Sequence, residues 1–284
     1  MTTQTPARTV PTPSRPAPPA RRPRRRGNRS PFHPATWTPA VAVLLLLGAA
    51  WTAVAAEHPY ILPELGEVGT ALVTSPLVFL ENAWRTLRIA LLGALIGAGS
   101  AFVLALVMSE IPVVRRALMP FAVVLNVTPV VALAPPLVVA FGFGMTPKVV
   151  VTAIITFFPV LINVATGLRS VPPPVLHVFE TLHASRLEVL LRLRIPSSLP
   201  YTLAALRVVL PLSIVGAVVA EFVTAGSSGG LGTVISNAAS TARLDFVYSA
   251  IFCLAALGVL LLGLVTAIEH RLLFWHESQR RASS

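Results

Sequence analysis

Residues 169–200 read R-S-V-P-P-P-V-L-H-V-F-E-T-L-H-A-S-R-L-E-V-L-L-R-L-R-I-P-S-S-L-P, the longest polar interruption among the apolar runs of this chain. Flanked by apolar stretches on both sides, it faces water. Prolines 172–174 cannot continue a helix arriving from upstream, but they suit the first turn of a new one. Pro196 and Pro200 are expected to stop that helix before the next apolar run. Within these brackets Phe179, His183, Leu187 and Leu191 recur every four residues, while His177, Glu180, Ala184 and Glu188 fall on another side. Such a helix is amphipathic and has one surface to dock.

The spacing resembles the cytoplasmic coupling loop of bacterial ABC importer permeases, whose pattern is Glu-Ala-Ala, three residues, Gly, nine residues, then Ile-x-Leu-Pro. The tail Leu193, Arg194, Ile195, Pro196 and the segment Ala184, Ser185, Arg186 fall in register with it. The chain departs from the pattern twice: His177 stands where the family has the leading glutamate, and His183 where it has glycine. Glu180, one helical turn from His177, is a stand-in for the missing carboxylate. The resemblance makes His177, Glu180, His183, Ala184, Ser185 and Pro196 the residues of an ATPase-docking loop.

Outward from this loop the chain is apolar. Of 284 residues 55% are hydrophobic and 12% charged, and so few charges cannot cover that much apolar surface in water. The chain is read as an all-α polytopic membrane protein. Its net charge of +11 sits in tails and loops between apolar runs, which is the sign of cytoplasmic membrane faces, and nucleic acid is not an expected partner. The single cysteine, Cys253, lies in an apolar run and reads as a small filler; disulfides within the chain and thiolate metal sites are excluded.

Residues 1–36 form a Pro/Thr/Arg-rich tail, with eight arginines and no acid up to position 34, and are expected to be disordered and cytoplasmic, near anionic lipid. The remainder, 37–284, is one transmembrane domain with spans at about 38–56, 83–108, 118–143, 149–168, 201–224 and 246–268, each near the length that crosses a hydrocarbon core of about 30 Å. The first span also has the layout of a signal peptide ending at Ala53-Val54-Ala55, although it is longer than the usual apolar core of one. Segment 57–82 carries four glutamates and no Lys or Arg, fitting an external loop, and the arginine distribution puts both termini inside. The third span contains Pro120, Pro129, Pro135 and Pro136 and must be irregular. Broken backbone is tolerated in hydrocarbon only against protein or a water-filled cavity, so this span is either a wall of a translocation path or a kinked structural helix.

Residues 226–232, G-S-S-G-G-L-G, lack the preceding strand and the lysine of a phosphate loop, and read as an external turn or re-entrant segment. Glu221, three residues from the end of the fifth span, either lines the path or sits at the outer interface, where Arg243 could pair with it. Pro129 and Asn163 are further path candidates; Asn163, like Asn126, could instead tie helices together. Beyond Glu221 no ionisable group is expected inside the bundle. The six histidines show no zinc spacing and no nucleophile elbow is present, so no catalytic residue, metal or cofactor is expected.

The likeness extends over about 83–277. The runs T-P-V-V-A-L-A-P-P-L from Thr128, F-G-F-G-M-T-P-K from Phe141, F-F-P-V-L-I-N from Phe157, G-L-R-S-V from Gly167 and A-E-F-V-T-A-G-S-S-G-G-L-G from Ala220 are similar to permeases of sulfonate, taurine and nitrate importers, whose relatives carry pyrimidine precursors of thiamine or riboflavin. The resemblance implies a six-span type I importer permease in the bacterial cytoplasmic membrane. Its implied partners are a second permease copy in a homodimer, two cytoplasmic ATP-binding subunits and an extracytoplasmic substrate-binding protein. An ion-coupled secondary transporter is the alternative, and would need a coupling site and often an inverted repeat.

Overall fold

The computed structural model describes residues 34–224 and 229–272, which are helical with no strands among them. In chain order the helices are α1 (Pro34–Glu57), α2 (Leu65–Thr74), α3 (Pro76–Glu110), α4 (Pro112–Val127), a 3-10 turn (Val130–Leu133), α5 (Ala134–Phe141), α6 (Met145–Gly167), α7 (Pro173–Thr181), α8 (Arg186–Val189), a π turn (Leu190–Arg194), α9 (Ile195–Val223), α10 (Leu231–Ser240) and α11 (Leu244–Leu272). Of the basic tail, 1–33 lies outside the described residues and 34–36 forms the first turn of α1.

Four helical stretches are long and apolar enough to cross a membrane: α3, α6, the continuous run from Arg186 to Val223, and α11. A fifth crossing is the pair of helical segments Pro112–Val127 and Val130–Phe141, bent by 93°. The bend falls where the sequence places Pro129. That proline removes an N–H and forces Thr128 out of the helical region, to φ −75° and ψ 137°. Pro135 and Pro136 then occupy the first turn of α5, where missing donors cost least. The expected third span is therefore two helices meeting at nearly a right angle.

The centre of the bundle is α3, α6 and α9, and small residues bring them together. On α3, Gly93 and Gly97 lie against Thr152, Ala153 and Thr156 of α6, and a Cβ on Gly97 would come 3.1 Å from the Ala153 carbonyl carbon. Gly216 of α9 faces the other side of Thr152, where an added Cβ would sit 3.3 Å from its Cα. Close backbone approach of this kind is how helices associate where lipid supplies no hydrophobic drive between them. Below this seam Met108, Leu161, Leu168 and Val209 close a fully buried apolar cluster. The outer surfaces of α1 and α11 are left apolar and exposed, Leu44 to Leu47 among them, as a lipid-facing surface must be. At the start of α11, Trp51 of α1 packs edge-on to Tyr248 at 5.2 Å between ring centroids and donates its indole N–H to the Pro63 carbonyl. The loop 57–82, read as a simple connection, contains α2, whose Val68 carbonyl accepts from Ser249.

Two expectations about the 169–200 loop are corrected. Its helix is not single: α7 ends at Thr181 and a new helix starts at Arg186, so Phe179, His183, Leu187 and Leu191 do not share one helical face. Nor do Pro196 and Pro200 stop the chain's helix. Pro196 lies in the first turn of α9 and Pro200 inside it. The π turn explains why: Ile195 donates to the Leu190 carbonyl, five residues back, and this widened turn makes room for the proline ring and its missing donor.

Candidate functional site

The turn between α7 and α8 is built from backbone chemistry. The last turn of α7 is closed by the His183 N–H on the Glu180 carbonyl (2.9 Å) and the Ala184 N–H on the Phe179 carbonyl (3.0 Å). This is a Schellman ending, and it demands a left-handed residue, here His183 at φ 55°. Glycine is the natural occupant because it adopts positive φ without strain, so His183 stands where the reversal of the chain by itself favours glycine. Ser185 then caps α8: its hydroxyl accepts from the Glu188 N–H, while its own N–H donates to the Glu188 carboxylate at 2.9 Å. That backbone N–H, and the Ser185 hydroxyl at 3.0 Å from the same carboxylate oxygen, hold the Glu188 carboxyl, in the water-facing loop, below the usual carboxylate range.

His177 and Glu180, expected one turn apart on the same side, meet: Nδ1 of His177 lies 2.9 Å from Oε2 of Glu180, with both side chains exposed. Pro196 is exposed just past the π turn, and Ala184 is the residue that closes the Schellman turn. Around these groups Val178, Leu182, Leu187 and Leu191 point outward, with Leu182 72% exposed. The loop is fixed to the bundle by Arg194, which donates to the Glu110 carboxylate (3.0 Å) and to the Ser109 carbonyl (3.1 Å) at the end of α3.

At the far end of α9 lies a second polar assembly, around Glu221. Its side chain is wholly buried; Oε1 accepts from the Thr86 hydroxyl (2.9 Å) and Oε2 from the Gly232 N–H (2.7 Å). The Leu231 N–H donates to Thr86 Oγ1 (2.8 Å), and the Gly230 N–H to Asn82 Oδ1 (2.7 Å). Two helices, α3 and α9, thus combine to satisfy the donors at the start of α10, and the carboxylate complements its positive end. Lys148, fully buried, reaches the Gly229 carbonyl at 3.4 Å and lies within electrostatic reach of Glu221 and Arg85. This packing accounts for the glycines, since a Cβ on Gly230 would lie 2.6 Å from Glu221 Oε2 and one on Gly232 2.8 Å from it. Residues 225–228 of the glycine-rich stretch lie outside the described residues, and the part from 231 is helix.

Arg243, considered as a partner for Glu221, pairs instead with Asp245 at 3.1 Å and lies over the Phe246 ring. Pro129 is exposed at the α4 bend, and Asn163 is exposed, its side-chain amide donating to the Pro159 carbonyl one turn back. The structure does not gather Pro129, Asn163 and Glu221 into one cluster. Nor is Glu221 the sole ionisable group within the spans: Lys148 is buried in α6, and Arg207 of α9 meets Glu269 of α11 at 3.6 Å. Asn82 and Thr86, four residues apart on α3, were the legible sign of a polar stripe facing Glu221.

Residues 86–274 match the family model described as binding-protein-dependent transport system inner membrane component. A probable ABC transporter permease protein of Haemophilus influenzae is 32% identical over 82% of this chain and 95% of its own length. The formylaminopyrimidine transport permease protein ThiX of Halalkalibacterium halodurans is 33% identical over 78% of this chain and 88% of its own. Other relatives are named for transport of riboflavin, aliphatic sulfonates, taurine and nitrate. In fold, a chain of the MetNI methionine ABC transporter in inward-facing conformations superposes with a TM-score of 0.61 at 16% identity, covering 70% of this chain and 98% of that one.

Proposed function

We propose, on the premise that this chain belongs to the family of binding-protein-dependent inner membrane components of ABC transporters, that it is the translocating subunit of an ATP-driven importer for a small anionic or heterocyclic solute. The family makes it a multi-pass protein of the cytoplasmic membrane and a permease subunit, not an enzyme. The substrate class rests on the names of its relatives, which move sulfonates, taurine, nitrate, a thiamine precursor and riboflavin.

The observation that carries the reading is the loop's construction. Val178, Leu182, Leu187 and Leu191 stand exposed on a turn held by a Schellman ending, a capping box and the Arg194–Glu110 ion pair. Apolar side chains held out on a fixed scaffold fit a cleft in a partner, here a cytoplasmic ATP-binding subunit. His177, Glu180, His183, Ala184, Ser185 and Pro196 shape that surface. From Arg186 the helix runs unbroken to Val223, 38 residues. At 1.5 Å per residue this is a lever of about 57 Å. Movement of the loop when the ATPases close is carried along it to Glu221, and so to α10 at the outer end. Glu221 enters the path as the anchor of its outer wall, with Pro129 and Asn163 as exposed path residues. Six crossings complete the topology: α1, α3, the bent α4–α5 pair, α6, α9 and α11, with both termini inside. Two copies form the pathway, and an external binding protein delivers the solute.

The test is co-purification with the ATP-binding subunit. Leu182→Glu and Leu187→Glu each put a charge into the apolar contact, and should abolish assembly while the permease still inserts and purifies; Ser283→Ala should change nothing. Normal assembly and substrate-stimulated ATP hydrolysis in both glutamate variants would sink the assignment of this loop.

A further inference from the structure

Behind the docking loop is a cavity of about 500 Å³ whose walls include Arg115, Arg116, Arg169 and Arg194. The four arginines come from separate places in the chain: two from the first turn of α4, one just past the end of α6 and one from the π turn before α9. Among the described residues no carboxylate lines the cavity. Among them, too, only Arg194 of the four arginines is in an ion pair, with Glu110 at 3.0 Å. Like charges brought together from distant positions repel, less so where water reaches them as it does Arg116 and Arg169, and a negative group among them would be held by all four. Basic residues on an inner membrane face are ordinary. Three guanidinium groups without carboxylate partners converging on one concavity are a different matter, because their planar donor forks match phosphate oxygens two at a time.

We infer that this cavity binds the phosphodiester headgroup of one anionic phospholipid. The floor is apolar, made by the buried Met108 and Leu168, with Pro112, Pro173 and Leu176 around it. From Arg116 the exposed Pro120, Val123 and Val127 follow on the same side of α4, four, seven and eleven residues on, as an apolar flank along which acyl chains can lie. A soluble anion would use the arginines and leave that flank idle; a lipid uses both. The walls are formed where α3 and α6 end and α4, α7 and α9 begin, ends that the proposed topology puts at headgroup level, whereas Leu182 and Leu187, the surface for a protein partner, stand on the turn beyond. The proposed orientation decides only that the lipid comes from the cytoplasmic leaflet; the chemistry of the cavity stands without it. Bound there, the lipid would brace Arg194 and hence the base of the docking loop.

The experiment is calorimetric titration of the full-length purified permease with dioctanoyl phosphatidylglycerol, dioctanoyl phosphatidylcholine and inorganic phosphate at one ionic strength. Phosphatidylglycerol should bind saturably and phosphatidylcholine should not. Arg115→Gln, Arg116→Gln and Arg169→Gln should each weaken it about fivefold. Arg271→Gln, which removes an equal charge at the end of α11, should leave it unchanged. Lysine replacements keep the charge and the insertion signal but lose the fork, so they carry the test if a glutamine variant fails to fold; they should bind more weakly than the wild type. Equal binding by all variants overturns the inference. So does phosphate that binds with the same variant pattern while the lipid does not, which would make this a soluble-anion site. Loss of ATP-binding-subunit assembly with lipid binding intact would make it a protein contact and overturn the lipid assignment as well.

Discussion

Replacing Glu221 by alanine tests whether the α10 end of the bundle is held by this one carboxylate. The change strands the Thr86 hydroxyl and the Gly232 N–H, each of which donates to it inside the protein. A buried donor left without a partner costs about 1–3 kcal/mol, so the variant should lose about 2–5 kcal/mol. Gly230 supplies the control. Its φ of 134° suits glycine, and a Cβ there meets the Glu221 carboxylate. Gly230→Ala in the native background therefore suffers both backbone strain and a clash, but with Glu221 truncated only the strain remains. The two substitutions should be non-additive, the double variant being more stable than the sum predicts by at least about 1 kcal/mol, as for residues in direct contact. The assay is thermal unfolding of the purified permease followed by tryptophan fluorescence, with transport by the reconstituted complex alongside. Additive effects, or Glu221→Ala within about 0.5 kcal/mol of the wild type, as for a surface change, would refute the cage.

His183→Gly should relieve left-handed strain of about 1 kcal/mol and raise hydrogen-exchange protection of the Ala184 amide; a fall in protection would contradict the Schellman assignment. Ser185→Ala should cost about 1 kcal/mol of local stability at α8, read from exchange at the Glu188 amide. Because the folded Glu188 carboxyl titrates below its unfolded value, its half of the capping box is intact above the unfolded pKa and should be lost as pH falls through the lower, folded one; the loss is read at the residue 185 amide, and Ser185→Ala, which keeps that N–H, should move it to higher pH without abolishing it. Gly97→Leu should drive α3 and α6 apart at Ala153 and destabilise by about 1–3 kcal/mol or more, visible as a lower melting temperature. For topology, single cysteines in a Cys253→Ala background should label from outside intact cells at Ser75 and not at Ser185; the opposite pattern would reverse the proposed orientation.

Solvation, and backbone rules that act within a few residues, made much of this chain readable before any of it was folded. Apolar runs with at most two charged residues, long enough to cross a bilayer, marked α3, α6, α9 and α11, because an apolar helix of that length has no other place to go. Prolines marked the broken crossing, because a missing N–H and a fixed φ act on their own turn. The 169–200 interruption and its motif register led to the family that residues 86–274 match. Tertiary packing settled the rest, because the rest depends on which distant groups meet. Nothing near Pro196 announces that a π turn will carry the helix past it, and the four-residue spacing through His183 concealed a chain reversal that a positive φ allows. The partners of Glu221 lie 135 residues away at Thr86 and 11 away at Gly232, and the arginines around the inner cavity span positions 115 to 194. A buried carboxylate takes whatever donors the fold delivers. Periodicity names the face on which it sits, and only the packing of α3, α9 and α10 shows that those donors are a hydroxyl from α3 and an amide in the first turn of α10.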